Sequence, residues 1–286
     1  MEQSELLAVI EQAGKDGSPK LDLANQGIDH LPPEIGNLSQ LSELNLVDNS
    51  LTTIPVEIGN LHNLTGLHLS HNRYLDVLPR DVFNLTSLRE LSLPGHDTAV
   101  PPEIGELSNL IDLFICGNKL TDLPPEVGDL GNLTELSLIG NMLTSLPAEI
   151  GQLKKLEKLH IAGNSFTVLP PELGGLTSLK KLVLVNTPVR ELPAEIGNLT
   201  ELEELDIHSL PLETLPAEIG DLANLQELNI GGVPLKTLPA EIGKLSRLTK
   251  LTIRKADHQR LRSYVEQLPN LEALHFWPDP VRPREG

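Results

Sequence analysis

The strongest constraint on this chain is an internal repeat with a period of 23 residues. A fixed period in this range predicts a repeat architecture, in which each repeat is one small structural unit that touches only its neighbours. A lone repeat is not expected to fold, because its aliphatic side chains need adjacent repeats to bury them. The steps are 23 residues except for one of 24 followed by one of 22, and the equivalent leucines stand at 41, 64, 88, 110, 133, 156, 179, 202, 225, 248 and 271.

One repeat, at 133–155, shows what each unit contains. Leu136, Ser137 and Leu138 alternate with the period of two expected of a short strand, so that the two leucines face one way. Pro147 and Gly151 then indicate a turn and a short helical segment that bring the chain back. Applied to every repeat, the pattern predicts parallel strands at 21–23, 44–46, 67–69, 91–93, 113–115, 136–138, 159–161, 182–184, 205–207, 228–230, 251–253 and 274–276.

The motif L-x-x-L-x-L-x-x-N-x-L-x-x-L-P-x-x-I-G-x-L-x-x resembles the leucine-rich repeat family over residues 18–276. Its L-P-x-E-I-G-x-L segment is similar to the intracellular plant and bacterial type, including the repeats of Roco-type proteins. The resemblance implies an α/β solenoid: a leucine-rich repeat arc with a parallel concave β-sheet of about 12 strands. Short helical or 3-10 segments are implied on the convex side.

Both ends of the chain depart from the repeat and predict caps. Residues 1–17 carry Leu6, Ile10 and Ala13 at helical spacing, which predicts an N-terminal helical cap over the first coil. Residues 18–253 are the leucine-rich repeats. Residues 254–286 lose the consensus and predict a C-terminal cap and tail, with a helix, a last strand and Trp277 closing the open end. A docking role for the first helix stays open.

The net charge of −18 is largely a consequence of the repeat. An acid in the first turn of a helical segment is favoured by the unpaired N–H groups there. The acidic balance argues against nucleic acid and anionic membranes as partners, because phosphates are bound by Lys and Arg. One column just after the proline supplies Glu34, Glu57, Asp81, Glu103, Glu126, Glu149, Glu172, Glu195, Glu218 and Glu241.

The single cysteine, Cys116, excludes an intramolecular disulfide. The first residues form an acidic amphipathic stretch rather than a basic segment followed by an apolar run, so no signal peptide is expected. No apolar run approaches the roughly 20 residues of a membrane span. We therefore expect a cytoplasmic protein, a monomer, with export as a bacterial effector as the alternative.

Motifs for catalysis are missing from the sequence: there is no phosphate-binding loop, dinucleotide fingerprint, metalloprotease motif or nucleophile elbow. We expect no enzyme, no cofactor and no metal. A zinc site around His68, His71 and His96 is the weaker alternative to solvated or partner-contacting imidazoles.

The consensus asparagine predicts a buried polar ladder that satisfies backbone groups of neighbouring coils. From the eighth coil it is replaced, which predicts a differently built rim over the last third. Whether that change has a function stays open. The asparagines are Asn49, Asn72, Asn118, Asn141 and Asn164, and the replacements are Thr187, Leu210, Val233 and Ala256.

The predicted concave face carries the candidate binding residues. Its charge is zoned, with an apolar strip between acidic and basic zones, and an outward Phe on a strand is not needed for solubility. The extra residue at 70–79 also predicts that Arg73 and Tyr74 are exposed on the rim, in a composition typical of binding hot spots. Neutral drift is the alternative there. We predict a protein or peptide partner bound by Asp112, Phe114, Glu135, Ile139, Lys158, His160, Lys181, Val183, Arg73 and Tyr74.

Overall fold

The computed structural model describes residues 1–75, 77–93, 99–117 and 119–278. They form two compact units, Met1–Leu143 and Thr144–Gly286. Both units repeat the same coil, in which a short strand is followed by a turn and a five-residue 3-10 helix. The described part of each unit contains six strands, all parallel to their neighbours, and this confirms the predicted repeat fold class.

In the N-terminal unit, helix α1 spans Gln3–Asp16 and precedes the first strand. Strands pair with their sequence neighbours in register. They are β1 (Lys20–Asp22), β2 (Glu43–Asn45), β3 (Gly66–His68), β4 (Glu90–Ser92), β5 (Asp112–Phe114) and β6 (Glu135–Ser137), and the 3-10 helices are Pro33–Asn37, Val56–Asn60, Arg80–Asn84, Pro102–Glu106 and Pro125–Asp129.

The C-terminal unit continues the same order and ends with helix α2, His258–Val265, before its last strand. Its strands are β7 (Lys158–His160), β8 (Lys181–Val183), β9 (Glu204–Asp206), β10 (Glu227–Asn229), β11 (Lys250–Arg254) and β12 (Ala273–Trp277). Its 3-10 helices are Ala148–Gln152, Pro171–Gly175, Ala194–Asn198, Ala217–Asp221, Ala240–Lys244 and Lys255–Asp257.

The strands begin one residue earlier than the leucine pattern predicts. Pairing starts before the first core leucine: the N–H of Glu43 donates to the Pro19 carbonyl over 3.1 Å. The second core leucine, Leu46, still donates to His68 at 2.9 Å, but the chain turns directly afterwards at Asp48, whose φ is 55°. The predicted strands therefore exist, and only their boundaries were wrong.

The core of both units is a column of aliphatic side chains contributed by successive coils. Leu136, Leu138 and Leu205 are at most 1% exposed, and the same holds for Ile150 and Ile219 in the 3-10 helices. Burying one such side chain stabilises the fold by about 1.5–3 kcal/mol. The alternation that predicted the strands thus also fills the interior.

Asn49 and Asn72 form the predicted ladder between coils. Asn72 donates from Nδ2 to the Leu46 carbonyl at 2.8 Å and to the Leu69 carbonyl at 2.9 Å, and its Oδ1 accepts the N–H of Leu51 at 3.2 Å. Asn49 makes the equivalent bonds one coil earlier. Asn118 and His96 lie outside the described residues.

In the last third the ladder position is built differently. Leu210 and Val233 are buried as apolar groups, whereas the hydroxyl of Thr187 is buried without a hydrogen-bond partner. The residue before this position has a positive φ, as in Asn186 at 53° and Ser209 at 60°. The leucine pattern did not predict this left-handed turn, although Gly, Asn, Asp and Ser recur at the position and favour it.

The glycine of the P-x-E-I-G segment is required by the distance between coils. A Cβ added at Gly220 would lie 2.4 Å from the Glu241 carbonyl oxygen of the next coil. No real Cβ makes such a contact with backbone, so a side chain there would push the two coils apart. Gly243, in the same column, faces the C-terminal cap instead, and a Cβ there would lie 3.4 Å from the Gln267 side chain.

The two ends carry the helices that the sequence indicates. Leu6, Ile10 and Ala13 of α1 are buried, and Gly14 lies against Leu38 of the first coil. At the other end, Trp277 does not close the core as predicted. Side chains of strand β12 alternate between the two faces of the sheet, and Trp277 lies on the face that points away from the core. Phe276 faces the core but stays 44% exposed at its edge.

The ladder position yields a matched pair of substitutions. We expect Asn72→Val to lower the free energy of unfolding by about 2–4 kcal/mol, because buried backbone groups lose their partners. Thr187→Val, which removes an unpaired buried hydroxyl, should leave stability unchanged or raise it by about 1 kcal/mol. Urea unfolding followed by circular dichroism checks both. Equal losses in the two variants would contradict the assigned roles.

The glycine column yields a second matched pair. Gly220→Ala should lower the free energy of unfolding by more than about 2 kcal/mol, since backbone rather than a flexible side chain opposes the new methyl group. Gly243→Ala is the control, because its added methyl group would lie 3.4 Å from Gln267, an ordinary van der Waals contact. We expect it to change stability by less than about 1 kcal/mol. Thermal denaturation of the two variants beside the parent protein measures the difference.

Candidate functional site

The ten predicted partner-binding residues divide between the two units. In both units most of them lie on the open face of the sheet, meaning the face whose side chains point away from the aliphatic core. The N-terminal unit carries Asp112, Phe114, Glu135, Ile139, Arg73 and Tyr74, and the C-terminal unit carries Lys158, His160, Lys181 and Val183.

On the open face of the N-terminal unit, the first residues of the strands form an acidic row. Glu90 pairs in register with Asp112, and Asp112 pairs with Glu135. All three are at least partly exposed. The Asp112 carboxylate accepts a hydrogen bond from the Thr134 hydroxyl at 3.3 Å. Like charges directly opposite one another disfavour the pairing of strands, so this row does not stabilise the sheet.

The aromatic ring of Phe114 occupies the next row, between two small residues. Its register partners are Ser92 and Ser137, which are only 6% and 4% exposed. Ser137 was predicted to point outward and does lie on this face, but it is covered. Beyond the strand end, Ile139 is 40% exposed. Phe114 and Ile139 therefore place apolar surface beside an acidic row.

Arg73 and Tyr74 lie in the loop after strand β3, where the sequence has one extra residue. Both side chains are exposed, Tyr74 by 50%. The Arg73 guanidinium carbon lies 5.0 Å from the Tyr74 ring centroid, within the range of a cation–π contact. The two side chains support each other, and no described contact tests the predicted binding role.

In the C-terminal unit, the four predicted residues come from the first two strands. Lys158 pairs with Lys181 in register, and His160 pairs with Val183. Val185, two residues after the end of strand β8, is only 7% exposed and belongs to the buried core.

Farther along this unit, the open face has a depression. The predicted site residues reach only its border. Its volume is about 370 Å³. Lys181 and Val183 form one side of it. The residues that sequence reasoning missed there are Glu204, Asp206, Glu227, Asn229, Lys250, Thr252 and His275. The available signal was the order of charge down one column of the repeat, which is lysine, glutamate, glutamate and lysine.

Ion pairs cross the strands in this depression. Lys181 Nζ lies 2.5 Å from a Glu204 carboxylate oxygen, and Lys250 Nζ bonds to Glu227. The hydrogen bond and charge of Glu227, with a smaller contribution from the charge of Glu204, raise the pKa of Lys250 above its usual value. Lys250 is therefore an ammonium ion at neutral pH, and the Glu227 carboxylate faces it.

One edge of this surface is held by an aromatic contact. The His208 ring stacks on Trp277, with ring centroids 4.5 Å apart, and His208 Nδ1 lies 2.7 Å from an Asp206 carboxylate oxygen. Gly231 makes room for the indole, since an added Cβ would lie 2.8 Å from Trp277 side-chain atoms. The C-terminal cap thus reaches back onto the open face.

The described residues contain no cluster of metal ligands and no membrane-spanning helix. In residues 1–75, 77–93, 99–117 and 119–278, no three His, Cys, Asp or Glu side chains lie together as metal ligands would. His71, part of the zinc alternative, contacts Asp48 at 2.9 Å, and His96 lies outside the described residues. None of the helices in these ranges is long and apolar enough to cross a membrane.

Known proteins are similar to this chain along most of its length. A leucine-rich repeat region model matches residues 20–116, 102–209 and 172–278. A solved leucine-rich repeat protein of Leptospira interrogans is 35% identical, with a TM-score of 0.85, and the match covers 95% of this chain and 71% of that one. A comparison with curated proteins finds no match.

Two solved receptors are similar over part of their length. A TDR receptor is 26% identical with a TM-score of 0.80, covering 96% of this chain and 50% of that one. The plant peptide hormone receptor RGFR1, solved with RGF2, is 29% identical with a TM-score of 0.65, covering 90% and 47%. This chain thus spans half or less of either receptor. The repeated coil and the matching family model show that the chain belongs to the leucine-rich repeat family.

Proposed function

We propose that this protein is a non-catalytic interaction module that binds a protein or peptide partner on the open face of its sheet, the face predicted to be concave. One observation carries the proposal: apolar side chains lie on that face beside charged rows. Phe114 sits between covered serines, and Ile139 is 40% exposed. Surfaces that bind proteins combine such apolar anchors with a charged rim.

Similarity to known proteins supports the same function. The leucine-rich repeat fold is in general an interaction scaffold, and RGFR1 was solved with a peptide hormone bound. Because this chain covers less than half of that receptor, we do not propose that it binds the receptor's own partner. What is proposed is the class of ligand, a protein or peptide segment.

Charge should orient the partner. The N-terminal unit presents the acidic row of Glu90, Asp112 and Glu135, whereas the C-terminal unit starts with Lys158 opposite Lys181. Complementary charges raise association rates and select the orientation of a partner more than they add affinity. The apolar residues then supply the affinity.

The cytoplasmic location, the monomeric state and the exclusion of nucleic acid and membranes belong to the same proposal. The alternative, a bacterial effector delivered into a host cell, would use the same open face. A secretion assay in the native organism separates these two cases, because only an effector appears in the medium or in host cells.

Site-specific photocrosslinking tests the proposal. A photoreactive phenylalanine analogue is placed at Ile139 or Val183 on the open face, and the protein is irradiated in its native cell extract. We expect covalent adducts with a discrete partner from these positions, because a bound chain lies within reach of the probe. Mass spectrometry of the adducts identifies the partner.

The chain offers exposed apolar controls away from the open face. Val56 begins a 3-10 helix and is 58% exposed, and Val168, in the C-terminal unit, is 70% exposed. Probes at these two positions should give no such adduct. Equal adducts from both sets of positions, or none from the open face, would count against the proposed surface.

A further inference from the structure

The open face of the C-terminal unit carries a symmetric pattern of charge. Across strands β8–β11 the first outward residue is Lys181, Glu204, Glu227 and then Lys250, all in register. The order of charge is plus, minus, minus, plus. These four residues line the depression of about 370 Å³, and the side chains are between 38% and 54% exposed.

The two central carboxylates are register partners, and this is unfavourable for the sheet. Glu204 lies directly opposite Glu227, and like charges in that position destabilise a pair of strands. Each carboxylate is offset by one flanking lysine. Exposed ion pairs of this kind contribute only about 0–1 kcal/mol, so a partner can rearrange them at small cost.

The spacing of these charges fits an extended chain laid across the strands. Neighbouring strands are about 4.8 Å apart, so the midpoint of the two glutamates is about 7 Å from either lysine, and the lysines are about 14 Å apart. Alternate side chains of an extended peptide recur about every 6.6 Å, which gives about 13 Å over two steps. Three alternate side chains therefore match the three charge positions.

We infer that the segment bound by the C-terminal unit is an extended peptide whose alternate side chains are acidic, basic and acidic, running across strands β8–β11. The basic side chain lies between Glu204 and Glu227, and the acidic ones lie on Lys181 and Lys250. This inference rests on the proposed function and specifies the partner of the same surface. The Thr252 hydroxyl in the next row can hydrogen-bond to the peptide backbone.

Model peptides test the pattern directly. A fluorescein-labelled peptide containing Asp-Thr-Arg-Thr-Asp is titrated with the intact protein, and anisotropy reports binding. A second peptide contains Arg-Thr-Asp-Thr-Arg, which reverses each charge. We expect the first peptide to bind at least about tenfold more tightly, and the preference to shrink with added salt.

A charge-reversed protein supplies the decisive comparison. Lys181→Glu, Glu204→Lys, Glu227→Lys and Lys250→Glu together reverse the row, and they leave the net charge at −18 because two acids and two bases are exchanged. We expect this variant to prefer the second peptide. The control variant, Glu213→Lys with Lys236→Glu, reverses an exposed ion pair of the same unit outside the depression, and it should keep the original preference.

The outcomes separate this inference from the proposed function. The inference would be overturned if the charge-reversed variant bound neither peptide while its circular dichroism spectrum was unchanged. Equal binding of the two peptides by the parent protein would also overturn it. If sedimentation shows that the protein self-associates and that this requires the four charged residues of the row, a second copy of the chain occupies the depression and the inference fails. Crosslinks from Ile139 or Val183 to a partner would still uphold the broader function in each of these cases.

Discussion

The burial of aliphatic side chains between successive coils is the interaction on which the rest of this structure depends. No coil has a core of its own: Leu205 and Leu228 are at most 1% exposed because the coils on either side cover them. Such stacking requires the backbones to come close, and the glycine column permits it. Gly220 faces the Glu241 carbonyl oxygen at a distance that excludes any side chain. Stability therefore belongs to the interfaces between coils.

The same close stacking buries backbone groups that need hydrogen bonds, and the chain satisfies them in two ways. Asn49, Asn72 and Asn141 each bond to carbonyls of two coils. In later coils Leu210 and Val233 replace the carboxamide, and proline follows them, which removes one donor at that place. Thr187 keeps a polar group at this position, but its buried hydroxyl has no hydrogen-bond partner. The left-handed turn just before the position is common to both designs.

What remains for function is the surface that stacking leaves open. The core-facing half of each strand is fixed by packing, so residues can vary freely only on the other half. There the chain places Phe114 between two serines, and it places the charged row from Lys181 to Lys250. Neither feature is needed to hold the coils together, and like charges such as Glu204 and Glu227 oppose it. The proposed partner, with complementary charge and apolar surface, accounts for these residues.

Sequence alone determined the repeated coil, the parallel strands and their number, the asparagine ladder and the presence of helices at both ends. These follow from local patterns, since a period of 23 residues and an alternation of leucines admit few other folds. It also placed candidate residues such as Phe114 and Lys181 on the outward side of their strands. The strand boundaries were wrong by one residue, because hydrogen bonding rather than side-chain pattern sets them.

Tertiary structure decided what depends on contacts between residues far apart in sequence. Trp277 was expected to close the core, but it stacks on His208, a contact that no local pattern encodes. Phe83 stands in the glycine column and is nevertheless only 1% exposed, so the spacing of its neighbours must differ there. The depression between Lys181 and Lys250 appears only when strands β8–β11 are in register. The period of the sequence fixes how one coil folds, whereas the packing of side chains from several coils decides what their common surface presents.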